Sequence, residues 1–177
     1  MSKPTSHPIS GVLLVDKPSG PTSHDIVAQI RRLLTKPTKV GHTGTLDPFA
    51  TGLLIVALGP TTRLIEYTHN WDKEYRATIT LGAISDTDDH TGTITQLKQT
   101  NDPPKRKDIK KVTTSFMGPS MQLPPTHAAI KIKGKKLYEY AREGEMPSRS
   151  TRPITIHRIA ITDYTYPHLT LNVSCST

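Results

Sequence analysis

The sequence predicts a single α+β domain, and three observations carry that reading. The chain has 177 residues, enough for one hydrophobic core with at most a small appendage. Apolar runs of strand length, Gly11 to Val15 and Leu53 to Leu58, are each closed by glycine and proline, and later stretches alternate apolar with polar residues. Between them lie short segments with helical spacing or helix-start signals.

Taken in order, Gly11-Val12-Leu13-Leu14-Val15 reads as a buried strand running into the turn Asp16-Lys17-Pro18-Ser19-Gly20-Pro21. Thr22 with Asp25 makes a capping box variant. Ile26, Val27, Ile30, Leu33 and Leu34 then repeat at helical spacing, and the helix should end at Lys36-Pro37. Leu53 to Leu58 is a second buried strand, ended by Gly59-Pro60, after which Thr61 or Thr62 caps a short helix through Tyr67. Tyr75, Ala77, Ile79 and Leu81 alternate with Arg76, Thr78 and Thr80 as in a half-buried strand, placing Tyr75 on the side of Ile79.

Residues 85 to 92 form a polar turn, and Asp108 caps a helix carrying Ile109, Val112 and Phe116. The stretch Gly118 to Pro125 is too rich in proline for regular structure. Ile154, Ile156, Ile159 and Ile161 give a long strand with an irregularity between the two pairs, and Leu169, Leu171 and Val173 alternate toward Cys175.

The segment Gly41-His42-Thr43-Gly44-Thr45-Leu46-Asp47-Pro48-Phe49-Ala50-Thr51-Gly52 is neither helix nor central strand. It reads as a shaped loop set just before a core strand. It holds one carboxylate, Asp47, with His42, Thr43 and Thr45 beside it as donors or acceptors. Asp before Pro commonly starts a turn by bonding nearby amides through its side chain, and that structural reading competes with a chemical one.

A formal net charge of +8 and a pI of about 9.6 favour a polyanionic partner, nucleic acid first. No apolar run reaches the roughly 20 residues of a membrane span, residues 1 to 8 lack a secretory h-region, and the lone Cys175 agrees with a reducing, cytoplasmic setting. The acidic turn at 85 to 92 fails the EF-hand spacing, since counting from Asp86 gives Thr91 and Leu97 where glycine and glutamate belong. No zinc, Walker or dinucleotide motif is present, so no metal is expected. Lys131, Lys133, Lys135 and Lys136, followed by Tyr138, Tyr140 and Arg142, suit phosphate contact beside base stacking, and read equally as a solvated hairpin and short helix.

Four ordered blocks, Gly11 to Gly20, Gly41 to Gly52, Lys73 to Ala77 and Gly134 to Arg142, resemble the TruB family of tRNA pseudouridine synthases. The resemblance implies a mixed, mostly antiparallel central sheet flanked by helices and loops, and isomerisation of uridine 55 in the tRNA T loop to pseudouridine without a cofactor. It implies that Asp47 is the catalytic aspartate and that Tyr75, also catalytic, packs on the flipped base and assists a proton transfer. It puts His42, Gly41, Thr43, Lys131, Lys135 and Arg142 on RNA, and gives Lys17 scaffold work first and RNA contact second. Residues of about 120 to 150 correspond to an RNA-gripping insertion. The expected partner is the T-arm of tRNA, bound by a monomer.

Two departures accompany it. His127-Ala128 stands where an aromatic residue and serine are usual, and Val173 to Thr177 resembles the opening of a block that continues to the basic partner of the acid. The reading is therefore of a catalytic domain incomplete at its C-terminus, weak or inactive as it stands. The rival reading is a non-catalytic tRNA-binding or RNA-folding protein in which Asp47 is structural.

Overall fold

A computed structural model of the chain describes residues 9–97, 102–125, 131–132, 135–136, 140 and 148–176. It is α+β, and every strand pairing among the described residues is antiparallel. The chain divides into two compact units, Met1–Trp71 and Asp72–Thr177.

The first unit runs β1 (Gly11–Lys17), α1 (Ser23–Leu33), β2 (Val40–His42), β3 (Gly52–Leu58) and a 3-10 helix (Gly59–Thr68), with the strands in the order β1-β3-β2. Thr22 caps α1 as expected. Its hydroxyl accepts from the Asp25 amide at 3.0 Å, and the Asp25 carboxylate accepts from the Thr22 amide at 2.8 Å. The helix stops at Leu33, sooner than Lys36-Pro37, because Leu34 is already extended and its amide turns back to the Arg31 carbonyl.

Ile26 and Val27 of α1 pack with Val40, Leu54, Val56 and Leu58 as the core of this unit. Register fixes which residues share its face: Leu13 opposes Val56 and Val15 opposes Leu54, while Val12 and Leu14 lie on the other side with Leu53. Val12, Leu13, Leu14 and Leu53 are exposed, and within β1 only Lys17 is buried, so most of the strand lies open where its apolar run suggested burial. The 3-10 helix begins without a side-chain cap; the Thr62 hydroxyl instead donates back to the Gly59 carbonyl.

The second unit contains β4 (Lys73–Thr80), β5 (Ala83–Ser85), β6 (Ile94–Gln96), α2 (Arg106–Ser115), β7 (Gly118–Gln122), β8 (Lys131–Ile132), β9 (Lys135–Lys136), β10 (Arg152–Thr165) and β11 (His168–Cys175). Its main sheet has the order β4-β11-β10-β7. Leu169 and Leu171 of β11 pack with Ile109 of α2, and Ile159, Ile161, Tyr164 and Val173 surround them. The isoleucine spacing was a true signal of irregularity, since the register of β10 shifts between Ile156 and Arg158 and again between Ile161 and Asp163.

Three expectations need correction here. Gly118 to Gln122 is a strand despite Pro119, because β7 is the outer strand of this sheet, where a missing amide costs least. Asp108 does not cap α2; the cap position is Lys105, and Asp108 sits inside the first turn. Finally, β4 is exposed along nearly all its length, so the half-burial read from its alternation is not met. The acidic stretch is the turn of the β5–β6 hairpin, where the Asp89 carboxylate accepts from the Thr87 and Thr91 hydroxyls and the Asp86 carboxylate from the Thr93 amide.

Candidate active site

Strands β2 and β3 pair from Val40 opposite Leu58 to His42 opposite Val56, and the Thr43 amide extends the ladder to the Ile55 carbonyl at 3.0 Å. The glycine-rich loop is therefore the connection of an antiparallel pair. It returns to β3 at Gly52, whose φ of +113° is a conformation that a side chain would strain. Gly41 is close-packed: a Cβ there would come within 2.9 Å of Ile65 Cδ1 in the 3-10 helix, and that side-chain end would have to move. That packing role is its visible one.

The loop is pinned on both sides of Asp47. Before it, Leu46 packs against the core, and its backbone is held twice by buried Ser23, whose hydroxyl donates to the Leu46 carbonyl at 3.0 Å and accepts from the Leu46 amide at 2.9 Å. After it, the Pro48 carbonyl accepts from the Gly20 amide at 2.8 Å and from Lys17 Nζ at 3.1 Å. The Ala50 amide closes a turn onto the Asp47 carbonyl at 3.0 Å, with Pro48 in the position that its fixed φ favours.

Asp47 itself is exposed, and its carboxylate has no hydrogen-bond or ion-pair partner among the described residues. It does not spend its oxygens on the turn, as an Asp-Pro turn former would. The main chain closes the turn and leaves the side chain available.

Lys17 is 0 % exposed, and its ammonium donates to the carbonyls of Pro18 at 2.9 Å, Pro21 at 2.8 Å and Pro48 at 3.1 Å. Three carbonyl acceptors match the three donors of an ammonium, which satisfies the buried cation. The RNA contact allowed for Lys17 is not available to a side chain with no exposed surface, and its role here is to tie the turn after β1 to the loop. Sequence reading missed Ser23 entirely. A serine directly after the capping threonine was the only signal, and it is a weak one.

His42 is half-buried on the core side of β2, and burial holds its imidazole below the ordinary range, with the Gly44 backbone acting in the opposite direction. Its Nδ1 is buried without a hydrogen-bond partner among the described residues. Tyr75 lies in β4 opposite Val173, on the same sheet face as Ala77 and Ile79, and is 46 % exposed.

The expected insertion leaves and rejoins the second unit at neighbouring strand positions, because Gln122 of β7 pairs with Arg152 of β10. Arg149 donates to the Pro124 carbonyl at 2.6 Å across that root. Within it, Lys131 pairs with Lys136, and Ile132 with Lys135, in the β8–β9 ladder. Arg142 lies outside the described residues.

Residues 31–177 match the family described as TruB family pseudouridylate synthase (N terminal domain). The chain belongs to the TruB family. It is 49 % identical over 154 residues to tRNA pseudouridine synthase B of Bacillus velezensis, covering 87 % of this chain and 50 % of that one. It is 41 % identical over 181 residues to the protein of the same name from Histophilus somni, covering 99 % and 57 %. The chain thus spans about half the length of the curated relatives it matches.

Among solved structures, a Cbf5-Nop10-Gar1 complex contains a chain similar to this one with a TM-score of 0.67 and 29 % identity, over 94 % of this chain and 40 % of that one. An H/ACA RNP bound to a substrate RNA containing 2'-deoxyuridine gives 0.63 and 26 %, over 94 % and 38 %. These likenesses agree with the α+β, mostly antiparallel architecture that the family resemblance implied.

Proposed function

We propose that the complete protein of which this chain is part isomerises uridine 55 in the T loop of tRNA to pseudouridine, with Asp47 as the catalytic aspartate. One observation carries the assignment: an exposed, unpartnered carboxylate stands on a loop whose backbone is fixed immediately before and after it. The family membership and the name shared by its relatives supply the reaction class.

The chemistry is an isomerisation. The bond between the ribose C1' and N1 of uracil breaks, the base turns, and C1' joins C5, while C5 gives up a proton and N1 ends protonated. Nothing is oxidised or reduced, so the balance needs no redox cofactor. An anionic carboxylate serves this reaction as nucleophile or as base, provided it is held at the sugar or the base of a nucleotide taken out of its stack. The bracketing of Asp47 meets that positional demand. Tyr75, half-exposed on β4, offers a ring for stacking, and His42 on β2 together with the β8–β9 lysines offers contacts for the RNA around the extruded base.

The test is Asp47→Ala in the complete protein, assayed by chemical readout of pseudouridine in T-arm RNA. Turnover falls by at least about a thousandfold while RNA binding persists. Substantial remaining turnover overturns the assignment.

A further inference from the structure

In the second unit, α2 and β10 enclose a half-open cleft of about 280 Å³ lined by Arg106, Lys110, Thr113, Thr114 and the Ile159–Ile161 stretch of β10. That is just below the roughly 300–1,000 Å³ of pockets that engulf drug-sized ligands, and among the described residues no acidic side chain lines it. Arg106 and Lys110 are one helical turn apart, so their like charges oppose each other on the same side of α2. The Arg106 guanidinium is already ordered by donating to the Ile161 carbonyl at 3.2 Å, which leaves its remaining N–H groups available. The Lys110 ammonium has no partner among the described residues. Both threonine hydroxyls donate to the Lys110 carbonyl, so the donors facing a ligand are the two cations.

The first turn of α2 begins without a side-chain cap, but Asp108 within that turn already answers the positive end of the dipole, so the field in the cleft comes from Arg106 and Lys110. An anion between Arg106 and Lys110 relieves their repulsion, and the β10 wall at Ile159–Ile161 adds no second charge, leaving space beside the anion for a sugar. We propose that this cleft is an RNA backbone site, taking a phosphate between Arg106 and Lys110 with its ribose against β10. The proposal rests on the reading of tRNA as substrate, and it adds a phosphate-binding element outside the loop of Asp47.

The experiment is binding of a T-arm RNA hairpin across a salt series, with pseudouridine formation measured at saturating RNA. Lys110→Gln breaks no side-chain contact and carries the test, and Arg106→Gln/Lys110→Gln extends it. Lys107→Gln/Lys111→Gln, which removes equal charge from residues that do not line the cleft, is the control. The expected result is a log-log salt slope shallower by about one for Lys110→Gln and about two for the double variant. Dissociation constants rise several-fold and about tenfold or more, the control moves less than about threefold, and kcat stays within about twofold. Equal losses in control and cleft variants, or no loss in either, overturn the cleft while leaving the substrate reading intact. Failure of the unaltered protein to bind the hairpin overturns both.

Discussion

The loop of the first unit and helix α2 of the second treat charge in opposite ways. Around Asp47, one cation, Lys17, is fully buried and committed to three backbone carbonyls, so that an anion can stand alone at the surface. On α2 the basic side chains Lys105, Arg106, Lys107, Lys110 and Lys111 stand exposed, with only Arg106 tied to the sheet by its side chain. A group that must meet one reacting atom needs a fixed backbone, since a misplacement of about 1 Å costs roughly 10²-fold in rate. Charges that meet a phosphate backbone act over a Debye length of about 8 Å and tolerate a mobile side chain.

That contrast can be broken at its stiff end first. Lys17→Met keeps the aliphatic volume but leaves the Pro18 and Pro21 carbonyls without their donor. It should cost about 3–5 kcal/mol in urea unfolding, and the exposed counterpart Lys111→Met less than about 0.5 kcal/mol. Similar costs at the two lysines would show that the buried cradle is not what holds the loop.

A finer probe is Ser23→Ala, which strands the Leu46 amide and carbonyl together. We expect a loss of about 1–3 kcal/mol, and in the complete enzyme a fall in kcat with KM little changed, because the backbone before Asp47 loosens while RNA-contacting side chains remain. Thermal unfolding and steady-state kinetics on the same variant separate the two effects; an unchanged kcat would disconnect the clamp from the carboxylate.

The smallest effect concerns His42. Burial lowers its pKa in the fold, so the unfolded chain takes up the proton first as pH falls. Its contribution is full above the unfolded value of about 6.5 and is lost progressively below it, down to the lower pKa of the folded state. His42→Gln should flatten that part of the stability profile between pH 7 and 5, by urea midpoints; a profile with undiminished slope would assign the titration elsewhere.

Much of this architecture could be read in the chain because its signals are local. The capping of α1 by Thr22 and Asp25 spans three residues, and the displaced isoleucine spacing in β10 records its own bulge. The Asp-Pro turn was equally visible, although its closure by main chain rather than by the Asp47 side chain was not. Burial was harder. The apolar run in β1 could not reveal that Val12, Leu13 and Leu14 are left exposed, and Pro119 concealed a strand because an outer position excuses it.

The sequence alone therefore determined the kind of elements, the loop that carries a lone carboxylate, and the family. The elements and the loop follow from residues within a few positions of one another, and the family from short blocks in a fixed order along the chain. Tertiary structure decided which charge is buried and which stands exposed. Lys17 and Pro48 are 31 positions apart and Ser23 and Leu46 are 23 apart, yet these pairs set the loop. Whether a lysine is a buried strut or an exposed phosphate ligand depends on carbonyls brought to it from elsewhere in the chain, and no local pattern encodes where those carbonyls will come to rest.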